Sequence, residues 1–195
     1  ERNSVCYVGS IAEIRGIRQT IQSLDMVPCK LLLAGAFDSA ALRQELMGYP
    51  GWRNVEECGF VGRQGVADIM AHSFCGLVTF RPVPNFIDGL PIKLFEYMSA
   101  GVPVIASNFP LWRSIVEEAE CGLCVDPDNP GAIGEAINHL RTHPDLALKM
   151  GDNGRRAVES KYRWDHEEAR LLALYGHLLA PAPGAPGVSE GRRPA

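Results

Sequence analysis

The sequence predicts an α/β fold, with a mostly parallel sheet of about six strands and helices on both faces, and three observations predict it. Six short apolar runs of strand length are spread along the chain. Between them lie segments whose apolar residues recur at three- and four-residue spacing, which lines them along one helix face. At the centre, residues 80–107 read as the end of one strand, a proline-rich loop, a short helix and another strand. Strands alternating with helices give βαβ units, and right-handed crossovers leave the doubly wound, Rossmann-like sheet as the default arrangement. One such domain is expected over residues 1–180, with the Pro-, Gly- and Ala-rich stretch 181–195 as a disordered tail.

The first strand, 5–8, ends at Gly9-Ser10, and a helix over 13–24 follows with Ile14, Ile17, Ile21 and Leu24 on one face. The second strand, 30–35, closes on Gly35, and Asp38-Ser39 caps a helix reaching Met47 with Leu42 and Leu46 inward. Pro50-Gly51 is a turn, and 54–60 is a third strand, polar enough to stand near an edge. A short helix over 64–71, carrying Val66, Ile69 and Met70, leads to the fourth strand at 75–80. Pro91 suits the first helical position and Gly101 the end of the central helix, after which 102–106 is the fifth strand. A helix over 110–120 carries Leu111, Ile115 and Val116, and the sixth strand spans 121–125. Pro130 opens a helix with Ile133, Ala136, Ile137 and Leu140 inward, and Pro144-Asp145 opens another reaching Tyr162. The amphipathic stretch 164–179 is a final helix, expected to pack on the sheet or cross to another domain.

Composition narrows the function. A net charge of −4 with acids and bases interspersed gives no basic field for nucleic acid. No apolar run approaches the length of a bilayer span. The chain opens on Glu1 with a strand almost at once, so it is expected to be a piece of a longer protein. Most of the six cysteines sit in apolar strand-like runs and are expected to be buried thiols in a reducing cytosol. Cys121-Gly-Leu-Cys124 has redox or metal spacing, but no second pair completes a zinc site and no helix start follows it.

The residues able to carry chemistry gather around the strand ends. Glu96 is a bidentate acceptor suited to a ribose diol, and Asp88 can hold hydroxyls of a second polar group. The amides around Gly89, Leu90, Ile92 and Lys93 open a helix, whose free N–H groups and dipole favour an anion, and Lys93 adds a charge, with Pro91 and Leu94 in the same stretch as further site candidates. The competing reading makes Asp88 a cap and Glu96–Lys93 a solvated helix pair. Gly9-Ser10 closes the first strand, where a ligand can approach the backbone, and Arg15 offers a fork for a diphosphate. Arg81, past the fourth strand, is a further cation, and Arg63 follows the third. The spacing around Gly9 is not the G-x-G-x-x-G of a dinucleotide cofactor.

These residues carry a resemblance. The string D-G-L-P-I-K-L-F-E-Y-M-S-A-G-V-P-V-I-A-S resembles the signature of retaining glycosyltransferases of family four, which have the GT-B fold: an acid, seven residues, a second acid, then A-G-x-P-V. Y-V-G-S, G-F-V-G and C-G-L-C-V-D-P extend it, and its flavour is similar to enzymes of bacterial surface polysaccharide synthesis, lipopolysaccharide among them. The resemblance implies the donor-binding C-terminal half of such an enzyme, with the N-terminal acceptor domain outside this chain. By position, Glu96 would hold the ribose, Asp88 the hydroxyls of the transferred sugar, Arg15 the diphosphate, and main chain around Val61, Gly62 and Arg63 the base. Asp88 stands where the family usually has glutamate, and Ser10 where it often has arginine.

The implied partners are a nucleotide-sugar donor, a UDP-sugar by preference, and a glycan or lipid-linked acceptor held by the other half. No cofactor and no metal is expected: Asp126-Pro127-Asp128 has the spacing of a D-x-D site but reads as a capped loop. The implied location is the cytoplasm, with peripheral contact at the inner face of the membrane in the full-length protein. The isolated piece is expected to bind nucleotide weakly and to be inactive. A non-catalytic nucleotide-binding module and a nucleotide-sugar epimerase are the alternatives on the same fold.

Overall fold

A computed structural model describes residues 2–179. The chain divides into one unit through Ser160 and a second from Lys161 onward. In the first, six parallel strands form one sheet: β1 (Ser4–Val8), β2 (Lys30–Ala34), β3 (Val55–Gly59), β4 (Ser73–Val78), β5 (Val104–Ser107) and β6 (Gly122–Val125). Their order is β3-β2-β1-β4-β5-β6, so the sheet grows outward in both directions from the β1/β4 pair. This is the expected doubly wound fold, with β3 at an edge. A reversal of winding parts the loops at the carboxyl ends of the two central strands and leaves a crevice between them.

Alternating side chains send each strand's residues to opposite faces. Val5, Tyr7, Leu31, Leu33, Cys75 and Leu77 pack with α1 (Ile17–Ser23), α2 (Ala40–Leu46) and α7 (Pro130–Thr142). The other face meets α3 (Arg63–Ala71), α5 (Ile92–Ser99) and α6 (Pro110–Glu118), whose Leu94, Tyr97, Met98, Trp112, Ile115 and Val116 are buried. Between these lie α4 (Pro84–Ile87), and beyond them α8 (Pro144–Lys161) and, in the second unit, α9 (Trp164–Leu179). Every described side chain of α9 is exposed. The tail expected over 181–195 lies outside the described residues. No described helix is long and apolar enough to cross a membrane.

Three departures from the expected elements bear on the crevice. The helix expected over 13–24 is broken: Glu13–Arg15 form a 3-10 turn, Gly16 takes φ 73°, and α1 starts at Ile17. The backbone of Gly16 lies so close to the Thr79 carbonyl that any Cβ there would overlap its oxygen, and only glycine meets both demands. Ile14, expected inward, is therefore exposed. The loop expected before the central helix holds the extra turn α4, and Asp88 is its C-terminal cap residue. Pro91 stands at the N-cap of α5, one position earlier than expected.

The central helix is keyed to the sheet by Tyr97. Its ring covers Gly76 in β4, and its hydroxyl accepts the N–H of Val8 at 3.0 Å, at the carboxyl end of β1. A Cβ on Gly76 would fall 2.6 Å from the ring. Gly76→Ala therefore forces α5 off the sheet and destabilises the domain by roughly 1–3 kcal/mol, the usual cost of overpacking a core. A urea titration checks this; an unchanged midpoint would show that α5 is free to shift.

Candidate functional site

The crevice at the β1/β4 switch point has a volume of about 590 Å³. Val8 from β1 and Gly9 just past it, Phe80 beyond β4, Arg15 from the 3-10 turn, Gly89 to Pro91 ahead of α5, and Ile92, Lys93 and Glu96 from α5 line it. Each arrives for a local reason. The break at Gly16 ends the 3-10 turn at Arg15, and the Arg81 N–H bonds the Ile14 carbonyl at 3.0 Å, tying that turn to the strand end. The Ser107 hydroxyl donates to the Phe80 carbonyl at 2.7 Å and fixes its backbone. The Trp112 indole N–H donates to the Gly89 carbonyl at 2.6 Å, which holds the loop entering α5. Phe80, Phe86 and Trp112 stack together beneath, with ring centroids 4.7 and 5.5 Å apart.

The electrostatics are one-sided. Lys93 is 6% exposed, and its Nζ is one of two buried side-chain polar atoms lacking a hydrogen-bond partner among the described residues. It lies 3.8 Å from the centre of the Tyr7 ring and 5.1 Å from that of Phe80, a cation held by aromatic faces alone. Burial first, and the Arg15 charge second, pull its pKa down to about 7, against weaker opposing effects of Cys6 and Glu96. The Arg15 guanidinium rests 5.4 Å above the Phe80 ring and makes no ion pair among the described residues. A side chain at Gly9 would begin 3.4 Å from Lys93 Nζ and 3.9 Å from Arg15 Nη1, so the missing Cβ is where both cations look. The amides of Leu90, Ile92 and Lys93 add bare helix-start donors, whereas that of Gly89 is bonded to Phe86.

The remaining residues expected at the site are placed differently. Glu96 is exposed on the crevice wall. Asp88 is exposed at the end of α4 and is not among the lining residues. Ser10 borders a smaller recess of about 210 Å³ with Gly35, Phe60 and Val61, which shares Val8, Gly9 and Val66 with the crevice. Arg63 opens α3 outside both hollows. Arg81 is engaged by Asp128 at 2.8 Å and by Glu13, which takes it out of the cationic group and closes the Asp126-Pro127-Asp128 loop on a salt bridge. Leu94 is fully buried and its amide bonds the Pro91 carbonyl, so it turns to the core, not to a ligand. Sequence reasoning missed Val8, Val66, Phe80, Asn85, Phe86 and Trp112; the aromatic spacing F-R-P-V-P-N-F was the available signal for Phe80 and Phe86.

A hollow of about 610 Å³ lies at the other ends of the strands, beside Arg2, Phe74, Leu140 and Arg141. Its arginines are hydrogen-bonded, Arg2 to the Gly101 carbonyl and Arg141 to Asn138, and it lies away from the carboxyl ends of the strands where open α/β sheets place ligands, so the switch-point crevice is the candidate site. The Cys121/Cys124 pair offers no redox centre either: burial pushes the thiols up to about 12 and about 11, away from the thiolate.

Comparison with known proteins identifies the family. The model described as "Glycosyl transferases group 1" matches residues 1–157, most of the chain. This chain belongs to that family. It is 36% identical over 85 residues to a GDP-mannose-dependent alpha-(1-6)-phosphatidylinositol monomannoside mannosyltransferase of Mycobacterium tuberculosis, a match covering 44% of the chain and 22% of the relative. Over 91% of its length it is 24% identical to the alpha-D-kanosaminyltransferase of Streptomyces kanamyceticus, of which it covers 46%. Among solved structures, 92% of the chain superposes on 46% of the sucrose-phosphate synthase of Thermosynechococcus elongatus, with a TM-score of 0.80 and 24% identity. The Anabaena protein HepE, crystallised with UDP, superposes with a TM-score of 0.78 at 17% identity, over 90% of this chain and 49% of HepE. The group 1 glycosyl transferase domain thus spans half or less of each of these relatives.

An uncompensated buried ammonium opposes folding, which gives a prediction with a definite sign. The folded pKa of about 7 lies below the ordinary lysine value of 10.5. The unfolded chain therefore holds more protons between these values, and stability rises with pH across that window. Lys93→Met stabilises the ligand-free domain most below about pH 7, by on the order of 4 kcal/mol, and the gain shrinks toward about pH 10. Urea unfolding near each limit measures it; a gain independent of pH would contradict a buried charge.

Proposed function

We propose that this domain binds the nucleotide-sugar donor of a retaining glycosyltransferase, with the acceptor held by a part of the protein outside this chain. The observation that carries the reading is the meeting of Arg15 Nη1 and Lys93 Nζ at the side-chain-free face of Gly9, beside the bare amides of α5. Two unpaired cations and a helix start at a switch point form a site for a compact, strongly anionic group, and a diphosphate matches it. Supporting this, HepE was crystallised with UDP at the same fold, and the mycobacterial relative uses GDP-mannose. A UDP-sugar is the preferred donor.

The rest of the donor is assigned around that anchor. Glu96, on the wall beyond Lys93, accepts the ribose diol as a bidentate carboxylate. The base enters the adjoining recess near Val61 and Phe60, whose ring is 89% exposed and open for stacking. Asp88, at the rim after α4, takes hydroxyls of the transferred sugar. The exposed Leu90 and Ile92 form an apolar lip facing the acceptor side.

Catalysis is proposed to be electrostatic. Charge develops on the diphosphate as the glycosidic bond to it breaks, and preorganised cations and amides stabilise that charge more than the ground state. The donor site needs no protein nucleophile for this step, and no metal or cofactor is assigned. Transfer to a glycan or lipid-linked acceptor in polysaccharide synthesis, on the cytoplasmic side of the membrane, completes the reading.

Calorimetry with UDP, GDP and their sugars tests it on the 195-residue chain. UDP binds weakly, and Arg15→Ala and Glu96→Ala each reduce its affinity by roughly tenfold, the effect of one lost charge-assisted contact. Unchanged affinity in Glu96→Ala would remove the ribose assignment, and in Arg15→Ala the diphosphate one.

A further inference from the structure

We propose that Lys93 is the proton-accepting cation of the diphosphate site: it takes up a proton as a nucleoside diphosphate binds, so that the anion brings in the second charge the empty site does not hold. This rests on the nucleotide reading above and adds to it a coupling between donor binding and protonation.

The geometry carries the inference. Buried lysines ordinarily end on a carboxylate or carbonyl, because an ammonium without partners loses its hydration for nothing. Lys93 Nζ ends on none. Tyr7 and Phe80 close one side of it with ring faces, and its open side is directed at Gly9, into the crevice. The charged and titratable groups facing it are Arg15 from the 3-10 turn, Cys6 and Tyr7 from β1, and Glu96 from its own helix. Burial first and the repulsion of Arg15 second disfavour the charge, against the weaker pull of Cys6 and of Glu96, so above about pH 7 the empty pocket favours the neutral amine. A phosphate oxygen placed between Lys93 and Arg15 reverses the balance, turning a repelled, unpaired ammonium into a charge-assisted donor. The sequence has serine at position 10, so β1 itself brings no basic side chain to this point; Lys93 reaches it from α5.

The consequence is proton-linked affinity. At mildly alkaline pH, above the lowered value of about 7, the free site holds one cation, the occupied site two, and the difference comes from solvent. A diphosphate that leaves returns the proton, so the site alternates between low and high positive charge with occupancy.

Titration calorimetry of the wild-type chain with UDP at about pH 8.5, in buffers of different ionisation enthalpy, counts the protons. The expected uptake is close to one per UDP bound, with none for uridine, which lacks the phosphates. Lys93→Arg, permanently charged, binds UDP without uptake; Lys93→Met binds it roughly tenfold or more weakly, also without uptake. Thermal unfolding of each variant confirms that it is folded. UDP binding with no proton uptake in the wild type, or uptake that survives in Lys93→Met, overturns the proposal and leaves the nucleotide site standing. A folded wild-type chain that binds neither UDP nor GDP overturns the site reading and this proposal together.

Discussion

The position of α5 on the sheet is the constraint from which the site follows. Tyr97 lays its ring over Gly76 and hydrogen-bonds the last residue of β1. One side chain thereby keys a helix to both strands of the switch point. Lys93 lies one turn before Tyr97 and is carried across to Gly9, while Glu96, the preceding residue, is turned to the crevice wall. A helix held only by an apolar stripe could slide by part of a turn without losing burial. The ring-on-glycine contact admits no such shift, because interiors are close-packed and a hydroxyl–amide bond accompanies it.

The crevice is held in an electrostatically unsatisfied state. Several arginines elsewhere are ion-paired: Arg18 with Glu45, Arg43 with Glu57, Arg53 with Asp25, Arg81 with Asp128. Arg15 and Lys93 are supported from below by Phe80 and Tyr7, which orient a cation without neutralising it. An ion pair at either residue would stabilise the domain and fill the place an anionic ligand needs. A buried lysine without a counter-charge, beside an arginine without one, opposes folding in a way that an anionic ligand relieves.

Much of this was legible in the chain. Alternating apolar runs and helix-period segments yielded the six-strand parallel sheet, and the polar third run marked β3 as an edge strand. The central string located the crevice, since glycine at a strand end and a helix start after a strand mark where ligands reach the backbone. What misled was local propensity. The periodicity of 13–24 was helical throughout, yet the Thr79 carbonyl, distant in sequence, forces the turn at Gly16 and exposes Ile14. Arg81 and Arg15 looked alike as isolated basic residues; only the approach of Asp128 and Glu13 to one of them separates an engaged arginine from a free one.

The sequence by itself determined the class of fold, the order of its elements and the segment that lines the crevice, because those depend on period and on short-range chemistry. Only the tertiary structure decided that Lys93 is buried rather than a solvated helix charge, that Leu94 faces the core, and that Trp112 and Phe86 floor the crevice. The reason is that charge state and partnership belong to a volume, not to a stretch of chain. Whether an ammonium meets a carboxylate, a ring or an open hollow is settled by residues dozens of positions away, brought together when the sheet winds outward from β1 and β4.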